Sequence, residues 1–263
     1  MSLRDFFASH PVFNTEELVA NKGDQSRWTR KSLLAHHRKQ GRILLVRRGL
    51  YAVVPPGSDP ESFPVDPYLV AAKSADDAVL AYHTALEVHG KAHSVFERYF
   101  FQSNKPLRPS TFRTYRFECI LFPKALRDKG NQHFATKTVE RFGLEIRVAS
   151  LEKTLVDLLD RPDLGGGWEE IWRSLESVEY FDLDLVVEYA KLLANRTTAA
   201  KVGYYLQQHA ETLMVEDRHL NPLRQLRPKQ PHYLERGKSG RLVRDWSLVV
   251  PESLAKKSWE EIA

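Results

Sequence analysis

The chain has 263 residues, of which 42% are hydrophobic and 28% charged, an ordinary composition for one large folded domain or two smaller ones. Its net charge is +5, and residues 1–64 supply most of it, with ten Lys or Arg against six Asp or Glu. The single cysteine, Cys119, excludes an internal disulfide and a cysteine-based zinc site, and no apolar run is long enough for a signal peptide or a membrane span. The sequence therefore predicts a cytoplasmic protein that needs no metal and no other cofactor.

Residues 1–56 show three helical patterns followed by two short strand patterns. The turn between the strands is Arg47-Arg48-Gly49, and Gly41 suits the end of the third helix, where glycine readily forms a left-handed cap. Three helices and a hairpin in this order are typical of a winged helix-turn-helix. The first predicted helix ends before Pro11, the second runs from a cap at Asn14 or Thr15 to Lys22, and the third spans about residues 26–40. The predicted strands are residues 43–46 and 50–54.

An acid-free segment coincides with the third helix and the hairpin. Between Asp24 and Asp59 there are 34 residues without one carboxylate. A merely solvated charged face usually mixes signs, whereas phosphates attract an unmixed basic one, so we predict that the helix enters the major groove of duplex DNA and the hairpin touches its backbone. Replacing Arg30 or Arg47 with Ala is then expected to weaken DNA binding. The predicted DNA-binding residues are Arg27, Arg30, Lys31, Arg38, Lys39, Arg42, Arg47 and Arg48.

A proline-rich stretch follows the hairpin and predicts a domain boundary. Five prolines within residues 55–67 disfavour both helix and central strand, so we expect a DNA-binding domain over 1–56, a linker over 57–66 and a larger α+β domain over 67–263. The elements predicted there are helices at 67–75 and 76–90, strands at 96–102, 113–122, 136–141 and 144–148, helices at 150–160, 168–178, 183–195 and 198–213, a strand at 244–250 and a helix from 252.

A second basic cluster lies between Arg218 and Arg244, with Tyr233 and Trp246 interleaved. Aromatic and basic residues together are used to bind nucleic acid, so the cluster is a candidate for a larger DNA footprint or an RNA contact. A charged loop around a structural strand explains it equally well. The candidate residues of this patch are Arg224, Arg227, Lys229 and Arg241.

Catalytic motifs are not recognisable in the sequence. His83, His89 and His93 lack an accompanying carboxylate motif, and a glycine at a helix end interrupts the spacing of the last two. The glycines of residues 165–167 lack the Lys-Ser/Thr of a P-loop, and Asp182 precedes a helical pattern, where it is expected to act as a cap. We predict no catalytic residue and no enzyme.

Four stretches, GRILLVRRGLYA (41–52), YHTALEVHG (82–90), SLEKTLVDLLDRP (150–162) and KVGYYL (201–206), occur in an order that is familiar as a combination. In these stretches the chain resembles the AbiEi family of antitoxins and transcriptional regulators from bacterial type IV toxin–antitoxin and phage-defence loci. The resemblance spans roughly residues 30–250.

The resemblance implies an N-terminal winged helix-turn-helix that binds inverted repeats in its own promoter and represses it. It also implies a C-terminal domain that opposes a nucleotidyltransferase-like toxin encoded next door, without a stable complex. Asp157, Asp160 and Arg161 match the family, although by themselves they indicate local ion pairs at a helix end. Two alternatives stay open: a nucleic-acid-processing enzyme that uses Asp157 or Asp182 and is delivered by the winged helix, and a winged-helix regulator whose main partner is another protein.

Overall fold

The computed structural model describes residues 2–22 and 27–255, and it describes the side chains of this part except those of residues 22, 27 and 28. The helices are α1 (Leu3–Ser9), α2 (Thr15–Lys22), α3 (Arg27–Lys39), α4 (Pro67–Ala72), α5 (His83–Val88), α6 (Lys124–Arg127), α7 (Leu151–Asp160), α8 (Trp168–Glu176), α9 (Leu183–Leu193), α10 (Arg196–Gln208), α11 (Asp217–Leu226) and α12 (Glu252–Ala255). The strands are β1 (Val12–Asn14), β2 (Ile43–Arg47), β3 (Leu50–Val53), β4 (Val79–Leu80), β5 (Arg98–Ser103), β6 (Ser110–Phe112), β7 (Tyr115–Leu121), β8 (Thr136–Arg141), β9 (Leu144–Ala149), β10 (His232–Tyr233), β11 (Arg241–Val243) and β12 (Leu248–Val250).

The α+β class predicted from the sequence is confirmed by these elements. The chain divides into two compact units that are interleaved along the sequence. Unit 1 consists of residues 1–80, 96–121 and 137–148, and unit 2 consists of residues 81–95, 122–136 and 149–263. These two units differ from the expected DNA-binding domain over 1–56, linker over 57–66 and α+β domain over 67–263. That expected domain organisation stays a prediction.

The first part of unit 1 combines three helices with a three-stranded antiparallel sheet of order β1-β3-β2. Asn14 starts α2 through a reciprocal pair of hydrogen bonds with Glu17, each 2.8 Å long, which satisfies backbone donors at the helix end. The predicted helices and hairpin strands are present within one or two residues, and β1 was not predicted. The winged helix-turn-helix itself stays a prediction. The nonpolar core of this part consists of Phe6, Phe13, Leu18, Leu34 and Ile43.

The rest of unit 1 contains helix α4 and a six-stranded mixed sheet of order β6-β7-β5-β4-β9-β8. Strand β4 lies near its centre, antiparallel to β5 and parallel to β9. The helix predicted over 76–90 is therefore wrong in its first half, because Val79 and Leu80 form this strand and the helix begins at His83. A buried apolar run as short as residues 78–81 fits a central strand as well as a helix, and strand pairing decides between them.

Unit 2 packs helices α7 to α11 around a core that includes Trp172, Tyr189 and Tyr205. Helix α11 was not predicted, because Pro222 lies inside it and removes one backbone donor. A small sheet of order β10-β12-β11 is held against α10 by the buried ring of Trp246. This ring packs directly on Gly203 of α10, and any side chain at that position would clash with it, since a Cβ there would lie only 2.1 Å from the ring. Within the described residues, the helices are too short or too polar to cross a membrane.

Candidate nucleic-acid interface

Helix α3 carries both buried residues and exposed cations. Leu34 and His37 are buried, one turn apart, whereas Lys31 and Arg38, three and four residues away from Leu34, are exposed along one edge of this buried face. Residues seven apart in a helix lie on the same face, so these two cations point the same way. Lys39 and Arg42 are exposed as well, Arg30 is half-buried, and the side chain of Arg27 lies outside the described part of the chain.

The cations on this surface have no acidic partner within the described residues. Arg30, Lys31, Arg38, Lys39, Arg42 and Arg48 take part in none of the ion pairs found there. By contrast, Arg98 is paired with Glu118, and Arg141 with Asp66. Unpaired, solvated cations leave a positive potential available to an anionic partner. We call these six residues the α3 surface.

The two arginines of the hairpin turn differ sharply. Arg48 is exposed, but Arg47 is half-buried, and its guanidinium donates a 2.9 Å hydrogen bond to the carbonyl of Ser74. Burial lowers the pKa of Arg47 from its ordinary value. The turn is also attached to the start of α2, since the Gly49 carbonyl accepts hydrogen bonds from the amide and hydroxyl of Thr15 at 2.9 and 3.2 Å. Arg47 therefore holds the hairpin in place, and Arg48 is the predicted contact residue that the geometry leaves free.

A cavity of about 700 Å³ opens beside this turn, within unit 1. Its charges are mixed, because Arg48 and Lys105 face a lining that also contains Glu16 and Asp76. Asp77, also in the lining, accepts hydrogen bonds from the Ser103 hydroxyl at 2.6 Å and from the amide of residue 104 at 2.8 Å. The cavity is therefore less suited to a polyanion than the α3 surface.

The second basic patch is only partly available for binding. Arg224 is paired with Asp217 at 3.1 Å, is bonded to Asn221 at 2.9 Å and lies 5.7 Å from the centre of the Trp246 ring, so it supports α11 and the small sheet. The remaining predicted members are exposed, namely Arg227, Lys229 and Arg241.

Asp157, one of the two aspartates named for the enzymatic alternative, lies in a buried polar triad. Lys153 Nζ is 2.6 Å from Asp157 Oδ2 and 2.8 Å from the Tyr189 hydroxyl, which donates to Asp157 Oδ1 at 2.6 Å. Burial lowers the pKa of Lys153 and raises those of Asp157 and Tyr189. The three side chains satisfy one another inside the helical core, an arrangement that links α7 to α9. Asp182 caps α9 by accepting from the Leu185 amide at 3.1 Å, as the sequence predicted.

The histidines also have partners inside unit 2. His83 is fully buried between Glu87 and Glu170, at 3.3 and 3.1 Å, and Glu170 accepts a further hydrogen bond from the Ser94 amide. His89 forms a 2.8 Å hydrogen bond with the carbonyl of Ala149. The sequence analysis did not connect His83 with Glu87, four residues later in the same helix, and could not find Glu170, which is 87 residues away. In the described part of the chain, no three His, Cys, Asp or Glu side chains are grouped so as to hold a metal.

Comparison with known proteins adds a fold relationship. No protein-family model and no curated protein matches the chain. Among solved structures, the chain is similar to the crystal structure of the Rv2827c protein from Mycobacterium tuberculosis, with a TM-score of 0.57 and 18% sequence identity. The match covers 97% of this chain and 92% of the other. At this level of identity the two chains share a fold, and no function is transferred between them.

Proposed function

We propose that the chain is a cytoplasmic DNA-binding autorepressor, in which α3 and the β2–β3 hairpin act as a winged helix-turn-helix, and that it serves as the antitoxin of a type IV toxin–antitoxin system. The observation that carries the DNA-binding part is the α3 surface, whose exposed cations have no acidic partner within the described chain. Neutralising phosphates with such cations releases counterions from DNA and so favours binding.

The geometry of α3 is compatible with the major groove. The groove is about 12 Å wide and admits an α-helix. At 1.5 Å per residue, Lys31 and Arg38 are about 10 Å apart along the axis and lie on the same edge of the helix, so both can contact phosphates of one strand. Ser32 and Ala35 lie exposed on the side of the helix that faces away from Leu34 and His37, and such small side chains allow a close approach to base edges. Arg48 is then placed to contact the neighbouring backbone.

Autorepression and antitoxicity depend on the resemblance to AbiEi proteins described above. That resemblance implies an inverted repeat in the promoter of the chain's own gene and a neighbouring gene for a nucleotidyltransferase-like toxin. A stable complex with the toxin is not required by this proposal.

The DNA-binding part is tested by fluorescence anisotropy with a duplex from the chain's own promoter, titrated over a range of salt concentrations. We expect Lys31→Ala and Arg38→Ala each to weaken binding and to reduce the slope of log K against log salt by about 0.9. Arg98→Ala is the matched control, because Arg98 is an exposed arginine outside both basic regions and is paired with Glu118. Equal affinity for an unrelated duplex at physiological salt, or equal losses in the control, would contradict the proposal.

The antitoxin part is tested separately by growth of bacteria that co-express the neighbouring toxin from an inducible promoter. We expect the intact chain to restore growth. The Lys31→Ala/Arg38→Ala double variant is expected to restore growth as well, provided that both genes are driven by foreign promoters. If no variant restores growth, the chain is not the antitoxin, whatever its affinity for DNA.

A further inference from the structure

The small sheet of unit 2 carries a row of three largely nonpolar side chains across its three strands, the outer two exposed and the central one half-buried. Tyr233 on β10 is in register with Val249 on the central strand β12, and Val249 is in register with Leu242 on β11. Residues paired in register point to the same face of a sheet, so the three side chains are neighbours. Tyr233 is 53% exposed and Leu242 43% exposed.

The opposite face of the same sheet is firmly attached to the interior of unit 2. Leu248 and Val250, on either side of Val249, are fully buried, as is Trp246. The Trp246 indole donates a hydrogen bond of 2.5 Å to the side chain of Gln207 on α10. The exposed row is therefore presented on an anchored support, which keeps the entropic cost of binding low.

Cations are frequent in the chain segments that form this sheet. Residues 227–250 contain six Lys or Arg against two carboxylates, Glu235 and Asp245, for a net charge of +4. Within the described chain, the ion pairs of this cluster are formed by Arg218 and Arg224 and not by these six. All six are exposed: Arg227, Lys229, Arg236, Lys238, Arg241 and Arg244. Arg241 is in register with Val250 and therefore starts from the opposite face of the sheet.

We propose that this face, which we call the β12 platform, binds single-stranded nucleic acid. The Tyr233 ring stacks on one base, Val249 and Leu242 support the next, and exposed cations from the same chain segments contact phosphates. The row crosses two strand spacings, about 10 Å, which is enough for two neighbouring bases of an extended strand. A duplex keeps its base faces stacked inside the helix and offers none of them to a ring on a sheet surface, so an unpaired strand fits better. The platform belongs to unit 2 and does not depend on duplex binding by the α3 surface.

The test uses the full chain and fluorescence anisotropy with labelled 12-nucleotide oligouridylate and oligodeoxythymidylate, at low salt. We expect Tyr233→Ala to weaken binding of the single strands about tenfold, in line with the loss of one stacked base. Tyr233→Phe keeps the ring and is expected to bind like the wild type. Tyr180→Ala is the matched control, because Tyr180 is 69% exposed and lies in unit 2 outside the platform.

The same variants are measured on the promoter duplex. The proposal expects Tyr233→Ala to leave duplex binding unchanged and Lys31→Ala/Arg38→Ala to leave single-strand binding unchanged. It is overturned if Tyr233→Ala and Tyr180→Ala bind the single strands equally well, if the single strands do not bind, or if the Lys31→Ala/Arg38→Ala variant loses their binding. A preference for oligouridylate would identify RNA as the ligand. Equal binding of oligouridylate and oligodeoxythymidylate would indicate that the protein recognises only stacked bases and phosphates. Both outcomes support the platform.

Discussion

Charge is arranged in opposite ways on the α3 surface and in the interior of unit 2. Lys31 and Arg38 are exposed and have no acidic partner in the described chain, whereas Lys153 is fully buried against Asp157 and Tyr189. A solvated cation without a partner contributes little to folding and remains available to an external anion. A buried cation has lost its hydration and depends on its partners. The same residue types therefore remain available to an external anion in one region and serve folding in the other.

The largest expected effect comes from breaking the buried triad. Asp157→Ala leaves the Lys153 ammonium without its carboxylate in the core, and removing one partner of a buried pair typically costs about 3–5 kcal/mol of unfolding free energy. Urea unfolding followed by tryptophan fluorescence measures this, since Trp168, Trp172 and Trp246 all lie in unit 2. Asp163→Ala is the control, because its pair with Arg161 is exposed and is expected to contribute less than about 1 kcal/mol. Similar losses in both variants would mean that the triad is no more important than a surface pair.

Arg47 lies in the basic region of the sequence, but its contact with Ser74 makes it one of the residues that stabilise the fold. Arg47→Ala removes a charged donor from the Ser74 carbonyl and is expected to lower the unfolding free energy by about 2 kcal/mol. Its salt slope for DNA binding is expected to stay that of the wild type, while Arg48→Ala lowers the slope by about 0.9. If Arg47→Ala lowers the slope as much as Arg48→Ala does, then Arg47 leaves Ser74 when DNA binds.

Glu170 is expected to make the stability of unit 2 depend on pH. Burial raises the pKa of its carboxyl, but hydrogen bonds from Ser94 and the contact with His83 lower it by more, to below the ordinary value of 4.5. A depressed pKa stabilises the folded state above the unfolded pKa, and this stabilisation is lost as the pH falls through the folded value. Glu170→Gln is thus expected to be less stable than the wild type at pH 7, by about 1 kcal/mol, with a difference that shrinks below about pH 4.5. A difference that is constant from pH 7 to pH 3 would rule out this role.

The smallest effect on stability is expected at the α3 surface. Arg38→Ala removes an exposed side chain without an acidic partner in the described residues, so its unfolding free energy is expected to stay within about 0.5 kcal/mol of the wild type. Thermal unfolding followed by circular dichroism measures this. A clear loss of stability would show that Arg38 supports the fold, and the contrast between the two regions would no longer hold.

Local patterns predicted most helices and strands, because capping residues, turn glycines and long apolar periodicities act over a few residues. They failed where distant parts of the chain decide. The helix expected over 76–90 gives way to β4, since the backbone of Val79 and Leu80 pairs with strands that come later in the sequence. Helix α11 tolerates Pro222 because Leu220 and Leu223 are buried on its inner face.

The candidate site was predictable to the same degree. An acid-free segment has no local partners for its cations, so the exposure of Lys31, Arg38 and Arg48 follows from the sequence. The hydrogen bond of Arg47 could not be predicted in this way, because the Ser74 carbonyl that accepts it is 27 residues further along the chain. The β12 platform also escaped prediction, since the row formed by Tyr233, Val249 and Leu242 exists only once the register of three separate strands is known.

The interleaving of the two units limits how this protein can be made and divided. The chain passes from one unit to the other after residues 80, 95, 121, 136 and 148, so no single cut releases either unit whole. A fragment of residues 1–80 would hold only β4 of the six strands found in the described sheet. During synthesis the basic helix leaves the ribosome early, yet unit 1 is complete only after residue 148 has emerged. A nascent chain would thus expose its basic helix before the rest of unit 1 has been synthesised. The contributions of the two units are therefore better distinguished by point substitutions than by truncation.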